Sequence, residues 1–231
     1  MKKAFPFLLP VAILLAGGIL AFAVYTVRVQ ERVPTQEITT SLIRPLQEDD
    51  HIIGSPDSEV VLITYSDIDC EYCKEFQATL SQLMSEYAPE GRVAWVYRHF
   101  PITSIHKHSG THAKASECVA SVAGESYFFR FIDALHQQSP GTAEFNPLKY
   151  PEVLASLGVN ETAFTTCMNE DLFAEKVAVD AENAVLVGAT GAPYTVILIK
   201  GNEPLPISGS LPYYSMKQVI EEALSLVRQE I

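Results

Sequence analysis

Val60-Val61-Leu62-Ile63-Thr64-Tyr65 is an almost unbroken apolar, β-branched run, the pattern of a strand covered on both faces. It predicts a strand over Glu59–Tyr65. After Ser66-Asp67-Ile68-Asp69 the period changes. Phe76, Leu80, Leu83 and Met84 recur at helical spacing and predict a helix over Glu71–Tyr87. Pro89-Glu90-Gly91 turns the chain into a second strand, Val93–Phe100. Helical patterns then dominate: Gly110–Ala123, Tyr127–Gln137 and, past a Pro/Gly-rich loop, Glu152–Leu157, Glu161–Asn169 and Leu172–Val187. The chain closes with strand Tyr194–Ile199, a Gly201-Asn202-Glu203 turn, strand Leu205–Ser208 and helix Tyr213–Gln229. A β-α-β half and a β-β-α half thus flank a block of helices, with no internal repeat.

The first 29 residues stand apart. Lys2 and Lys3 precede an apolar run, Ala4–Val27, broken only by glycines, prolines and Thr26. That is long enough to cross a bilayer of about 30 Å and longer than the usual signal core of about 7–15 residues. An uncleaved anchor is expected, with the lysines holding the N-terminus in the cytoplasm and the bulk of the chain outside. Ala21-Phe22-Ala23 offers a small-residue cleavage site, so a cleaved secretory form is the alternative. No cysteine ends the run, which argues against lipoprotein anchoring. Residues 30–50, polar and carrying Pro34 and Pro45, read as a linker, and the folded domain is expected over 51–231.

Composition narrows the partners. The chain is 48% hydrophobic with a net charge of −12, ample for a core and unsuited to nucleic acid. The candidate chemistry lies in Cys70-Glu71-Tyr72-Cys73. Set between strand and helix, Cys70 falls at a helix N-terminus, where unpaired N–H groups favour a thiolate. Cys73 lies one turn on, within bonding reach. CxxC also occurs in zinc sites, but the strand–turn–CxxC–helix setting favours a redox pair.

Here the sequence resembles the DsbA-like branch of the thioredoxin superfamily, from about His51 onward. Asp50-His51-Ile52-Ile53-Gly54-Ser55-Pro56 is similar to the family's opening segment, and Tyr65–Cys73 to its active-site stretch. Arg98-His99-Phe100-Pro101 resembles the end of its next strand, and Gly188-Ala189-Thr190-Gly191-Ala192-Pro193 its cis-proline loop. The resemblance implies an α/β thioredoxin fold with a helical insertion at about 104–175. It also implies that Pro193 is cis and lies beside both sulfurs, with the backbone of Ala192 open to a client strand.

Several positions depart from the family and are expected to tune the centre. Thr64 stands where relatives often carry a buried acid that accepts the proton of the second cysteine. Water or another carboxylate, Asp67 being nearest in sequence, would have to serve. Glu71 stands where relatives often have proline, beside Tyr72, and a carboxylate there is expected to oppose the Cys70 thiolate. Ala192 replaces a more usual Thr or Val. A thiol pKa near the ~3.5 of DsbA is therefore not expected, and a weaker oxidant is.

Cys118 and Cys167 remain. In an oxidising compartment leftover cysteines usually pair, and many relatives carry a cysteine in these two helices. A structural bridge is expected, with a second redox pair or two buried thiols as alternatives. His106 and His108 lie in a loop-like run with Lys107 and Ser109 and read as solvated, with His112 and His99 nearby; no metal site is assigned. Asn160-Glu161-Thr162 matches a glycosylation sequon but reads more simply as a helix cap.

The expected function is extracytoplasmic thiol–disulfide exchange without cofactor, donating disulfides from Cys70–Cys73 to exported client proteins with cysteines. Cys70 attacks and Cys73 resolves. A membrane redox partner is implied by analogy, and a monomer is expected. A membrane-tethered reductant and a non-catalytic binding module are the rivals. A potential of roughly −120 to −180 mV would favour the oxidase and one of roughly −270 mV the reductant.

Overall fold

The computed structural model describes residues 40–229. Strands β1 (His51–Ile53), β2 (Val60–Ser66), β3 (Val93–His99), β4 (Tyr194–Ile199) and β5 (Leu205–Ser208) form one sheet. Their order across it is β1-β3-β2-β4-β5. β2 and β3 run parallel with Ser66 beside His99, while the other neighbours are antiparallel. Every residue of β2 and β3 is buried, as their continuous apolar runs require. β5 is an edge strand, which tolerates Pro206.

Helix α1 (Glu71–Tyr87) connects β2 to β3. The helical block follows β3 as α2 (Ser109–Ala123), α3 (Ser126–Gln138), α4 (Tyr150–Leu157) and α5 (Glu161–Glu170). Then come α6 (Ala174–Leu186) and, after β5, α7 (Tyr213–Gln229). One core joins Leu62, Trp95 and Ile197 of the sheet to Phe76 and Leu80 of α1, Ile220 of α7 and the aromatic block around Phe128 and Phe131. A smaller core on the opposite face joins Ile63, Tyr65 and Val96 to Ala184 of α6. Cys118 of α2 and Cys167 of α5 are joined by a disulfide across 49 residues of sequence. This is a thioredoxin-like α/β fold with a helical insertion.

The anchor Ala4–Val27 lies outside the described residues; among those described, no helix is long and apolar enough to cross a membrane. The stretch 30–50 read as a linker, yet its described part is folded. Ile43 is buried in the smaller core, and Arg44 and Asp50 join a buried network with Arg98 and Asp180. Charges spaced along a proline-containing polar segment hide such a contact, because the partners lie 48 and 136 residues away. Strand β1 was also missed, since three residues are too few to show a period.

Candidate redox site

The turn that launches α1 is built by Asp67. Its Oδ1 accepts the Asp69 N–H at 2.9 Å, and its carbonyl accepts the Cys70 N–H at 3.2 Å. Cys70 is the N-cap, in extended conformation with no side-chain cap of its own. Its carbonyl starts the helical ladder by accepting the Lys74 N–H at 3.0 Å. Open N–H groups therefore face its sulfur.

Both cysteines are free thiols. Cys70 is 7% exposed and Cys73 1%. The Ala192–Pro193 peptide bond is cis, and Cys70 Sγ lies 3.5 Å from the Ala192 carbonyl oxygen. Cys73 Sγ accepts the backbone N–H of Asp67 at 3.5 Å. A hydrogen bond from the Cys73 thiol draws the Cys70 pKa down to about 6. Burial opposes this, while the backbone N–H groups of Cys73 and Tyr72 assist. Burial and the adjacent Cys70 push the Cys73 thiol up. The outer sulfur is thus the one that loses its proton more readily, and the inner one keeps its proton.

The Asp67 carboxylate also opposes the Cys70 thiolate, less strongly than burial does. Glu71, expected to oppose the thiolate, lines the same cavity as Cys70, and its Oε1 lies 3.6 Å from where a Cβ on Gly141 would stand. Adjacency in sequence does not fix direction: the first turn of a helix fans its side chains outward. Tyr72 is 61% exposed. With Thr142, Ile105, His106 and Thr190 it rims a cavity of about 400 Å³ that opens on Cys70 and Ala192. Thr64 shares a hydrogen bond of 3.0 Å with Thr195.

His106, read as solvated, is instead partly buried. His106 Nδ1 lies 2.9 Å from Asp67 Oδ2. His112 is fully buried; its Nε2 donates to the Phe145 carbonyl at 3.0 Å, so Nδ1 accepts from the Tyr150 hydroxyl. Burial lowers the His112 pKa to about 4, and the ring is neutral despite lying 3.4 Å from Asp69. Lys74 was also missed. Its buried Nζ donates to the carbonyls of Ser139, Gly141 and Ala143, at 2.6, 3.2 and 2.6 Å. The Asp67–His106 contact had a signal in topology: in parallel β2 and β3, residues just past each strand meet at one end of the sheet. Asn160 caps α5 by accepting the Ala163 N–H at 2.9 Å.

Similarity to known proteins agrees with this architecture. Over 163 residues the chain is 26% identical to a Na(+)/H(+) antiporter NhaA 1 of Mycobacterium sp. (strain KMS), covering 69% of this chain and 25% of that protein. The chain thus spans about a quarter of the length of the curated relatives it matches. Wolbachia pipientis alpha-DsbA1 superposes with a TM-score of 0.69 at 18% identity, covering 83% of this chain and 98% of that one. The thiol-disulfide exchange protein alpha-DsbA2 of the same organism superposes with a TM-score of 0.63 at 18% identity, covering 76% and 88%. Residues 46–221 match the family profile described as thioredoxin. With that span, a CxxC at the head of α1 and a cis-proline loop facing it, the chain belongs to the thioredoxin family, in its DsbA-like fold.

Proposed function

We propose that this chain is a protein thiol–disulfide oxidoreductase that donates disulfides to exported client proteins through Cys70 and Cys73. The observation that carries this reading is the asymmetry of the two sulfurs. Cys70 is a stabilised thiolate at the cavity beside the Ala192 carbonyl, and Cys73 is a protonated thiol behind it.

A client thiolate attacks the sulfur of Cys70 in the oxidised pair, the Cys70–Cys73 bond breaks, and Cys73 leaves and takes up a proton. A second client thiolate then attacks the client sulfur of the mixed disulfide. Cys70 departs as a thiolate, and two electrons have passed from client to enzyme. The Ala192 carbonyl and cis-Pro193 present extended backbone to a client strand. The name of alpha-DsbA2, a thiol-disulfide exchange protein, supports the same chemistry.

The domain acts outside the cytoplasm, held by Ala4–Val27 or released after cleavage, and works as a monomer reoxidised by a membrane partner. The Cys118–Cys167 bridge supports an oxidising compartment. A Cys70 pKa of about 6, above the ~3.5 of DsbA, supports a weaker oxidant. The test is oxidation of a reduced client protein. Cys70→Ser is expected to lose turnover to background, while the lone Cys70 thiolate of Cys73→Ser, presented with a client disulfide, attacks it, releases one client sulfur as a thiol and accumulates as the mixed disulfide. Equal trapping by both variants would refute the assigned roles.

A further inference from the structure

The position from which relatives often supply a buried acid is silent here, because Thr64 bonds to Thr195 and cannot ionise. An ionisable pair stands elsewhere. Asp67 is 1% exposed, and its backbone N–H reaches Cys73 Sγ. Its Oδ2 accepts the Ile102 N–H at 2.7 Å and faces His106 Nδ1 at 2.9 Å. A carboxylate only accepts, so Nδ1 carries a hydrogen, and Nε2 gains or loses the proton that decides the charge of the ring. His106 is only partly buried and lines the cavity that opens on Cys70.

We propose that Asp67 and His106 form the ionisable switch of the redox centre. His106 exchanges its proton through the cavity, and its charge decides how strongly the buried Asp67 carboxylate opposes a thiolate on Cys70. His106 is thereby a positioning residue, acting through Asp67 without touching the reacting sulfurs. Burial works against the cationic ring, but the Asp67 contact together with the charges of Cys70 and Asp69 outweighs it and raises the His106 pKa. When His106 is charged, Asp67 is neutralised and the thiolate is favoured. As pH rises through the His106 titration, Asp67 is left bare and the thiolate is opposed.

Other ionisable groups face this pair. Asp69 and Glu71 lie on the same turn and at the head of α1. Lys74, in the first turn of α1, is committed to the carbonyls of the 139–143 loop. Burial raises Tyr97 of β3 and keeps His112 of α2 neutral. Asp69 needs separate control, because burial lifts its pKa to about 6.

The proposal rests on the exchange reading, but its measurements need no client. The Cys70 thiolate is titrated by its ultraviolet absorbance in the reduced full chain, and the potential is measured against glutathione. His106→Gln keeps a hydrogen bond to Asp67 without the charge. It is expected to raise the Cys70 pKa and to shift the equilibrium about tenfold toward the disulfide, about 30 mV more negative. Asp67→Asn is expected to move both quantities the other way, and on that background His106→Gln should add nothing.

His106→Lys, a permanent cation, should restore the wild-type titration at neutral pH, and the His106→Gln effect should survive in Asp69→Asn. Unchanged titration and potential in a folded His106→Gln protein would overturn the proposal, leaving the pair as an anchor for the turn after β3. So would an equal His106→Gln shift with and without the Asp67 carboxylate. If His106→Gln fails to fold, the decision passes to folded His106→Lys, whose Cys70 titration must match wild type at neutral pH or the proposal falls. A wild-type chain that exchanges with no disulfide would refute the exchange reading and leave these titrations intact.

Discussion

Glu71 neighbours Cys70 in sequence, yet its carboxyl lies toward the Gly141 turn, while Asp67, three residues before Cys70, adds a charge that opposes the thiolate. A half-buried carboxylate such as Glu71 is screened by water more than the fully buried Asp67. Glu71→Gln is therefore expected to move the Cys70 titration by less than about half a pH unit. Thiolate absorbance measured against pH checks this, and a full-unit fall would restore Glu71 as the main brake on the thiolate. Cys70 and Cys73 were legible in sequence because their chemistry requires both within one helical turn. The Asp67–His106 contact was legible only as far as the pairing of β2 with β3, because 39 residues separate the partners.

Between α3 and α4, residues 139–145 are held across the head of α1 by two side chains. Lys74 binds three of their carbonyls, and Asp69 Oδ1 accepts the Phe145 N–H at 3.4 Å. A cation in the first turn of a helix looks like a solvent-facing residue, which is why sequence gave no hint of the clasp. The long elements fared better. β2, β3 and α1 are apolar at the period of their own geometry, whereas β1 and the loop owe their places to partners distant in sequence.

Lys74→Met leaves three carbonyls without their donor and frees the loop, at a cost of roughly 2 kcal/mol or more. Exchange with protein clients is expected to slow several-fold, while exchange with a small disulfide such as oxidised glutathione holds, because only the larger substrate needs the rim containing Thr142. Limited proteolysis should cut the variant within 139–143 first. Equal slowing with both substrates would mean that Lys74 acts on the sulfurs rather than through the loop.

At the scale of the whole molecule, the buried charges Arg98, Asp50 and Asp180, with Arg44, fasten the residues before β1 to the sheet and to α6. Asp50 accepts from Arg98 through both oxygens, at 3.0 and 2.9 Å, and Arg98 is fully buried. Asp50→Asn leaves that guanidinium underpaired in the interior and is expected to cost about 3–5 kcal/mol, read as a lower urea midpoint at an unchanged slope. A loss below about 1 kcal/mol would show that Asp180 and the carbonyls of Arg44 and Pro45 suffice. The asymmetry of the two thiols has a further consequence, for the electrochemistry of the whole protein. Above about pH 6 the reduced pair holds its two electrons with one proton, on Cys73, instead of two. The midpoint should therefore fall by about 30 mV per pH unit at neutral pH and by about 59 mV per unit in acid. A compartment that acidifies makes this protein a stronger oxidant by an amount that a plot of midpoint against pH gives directly.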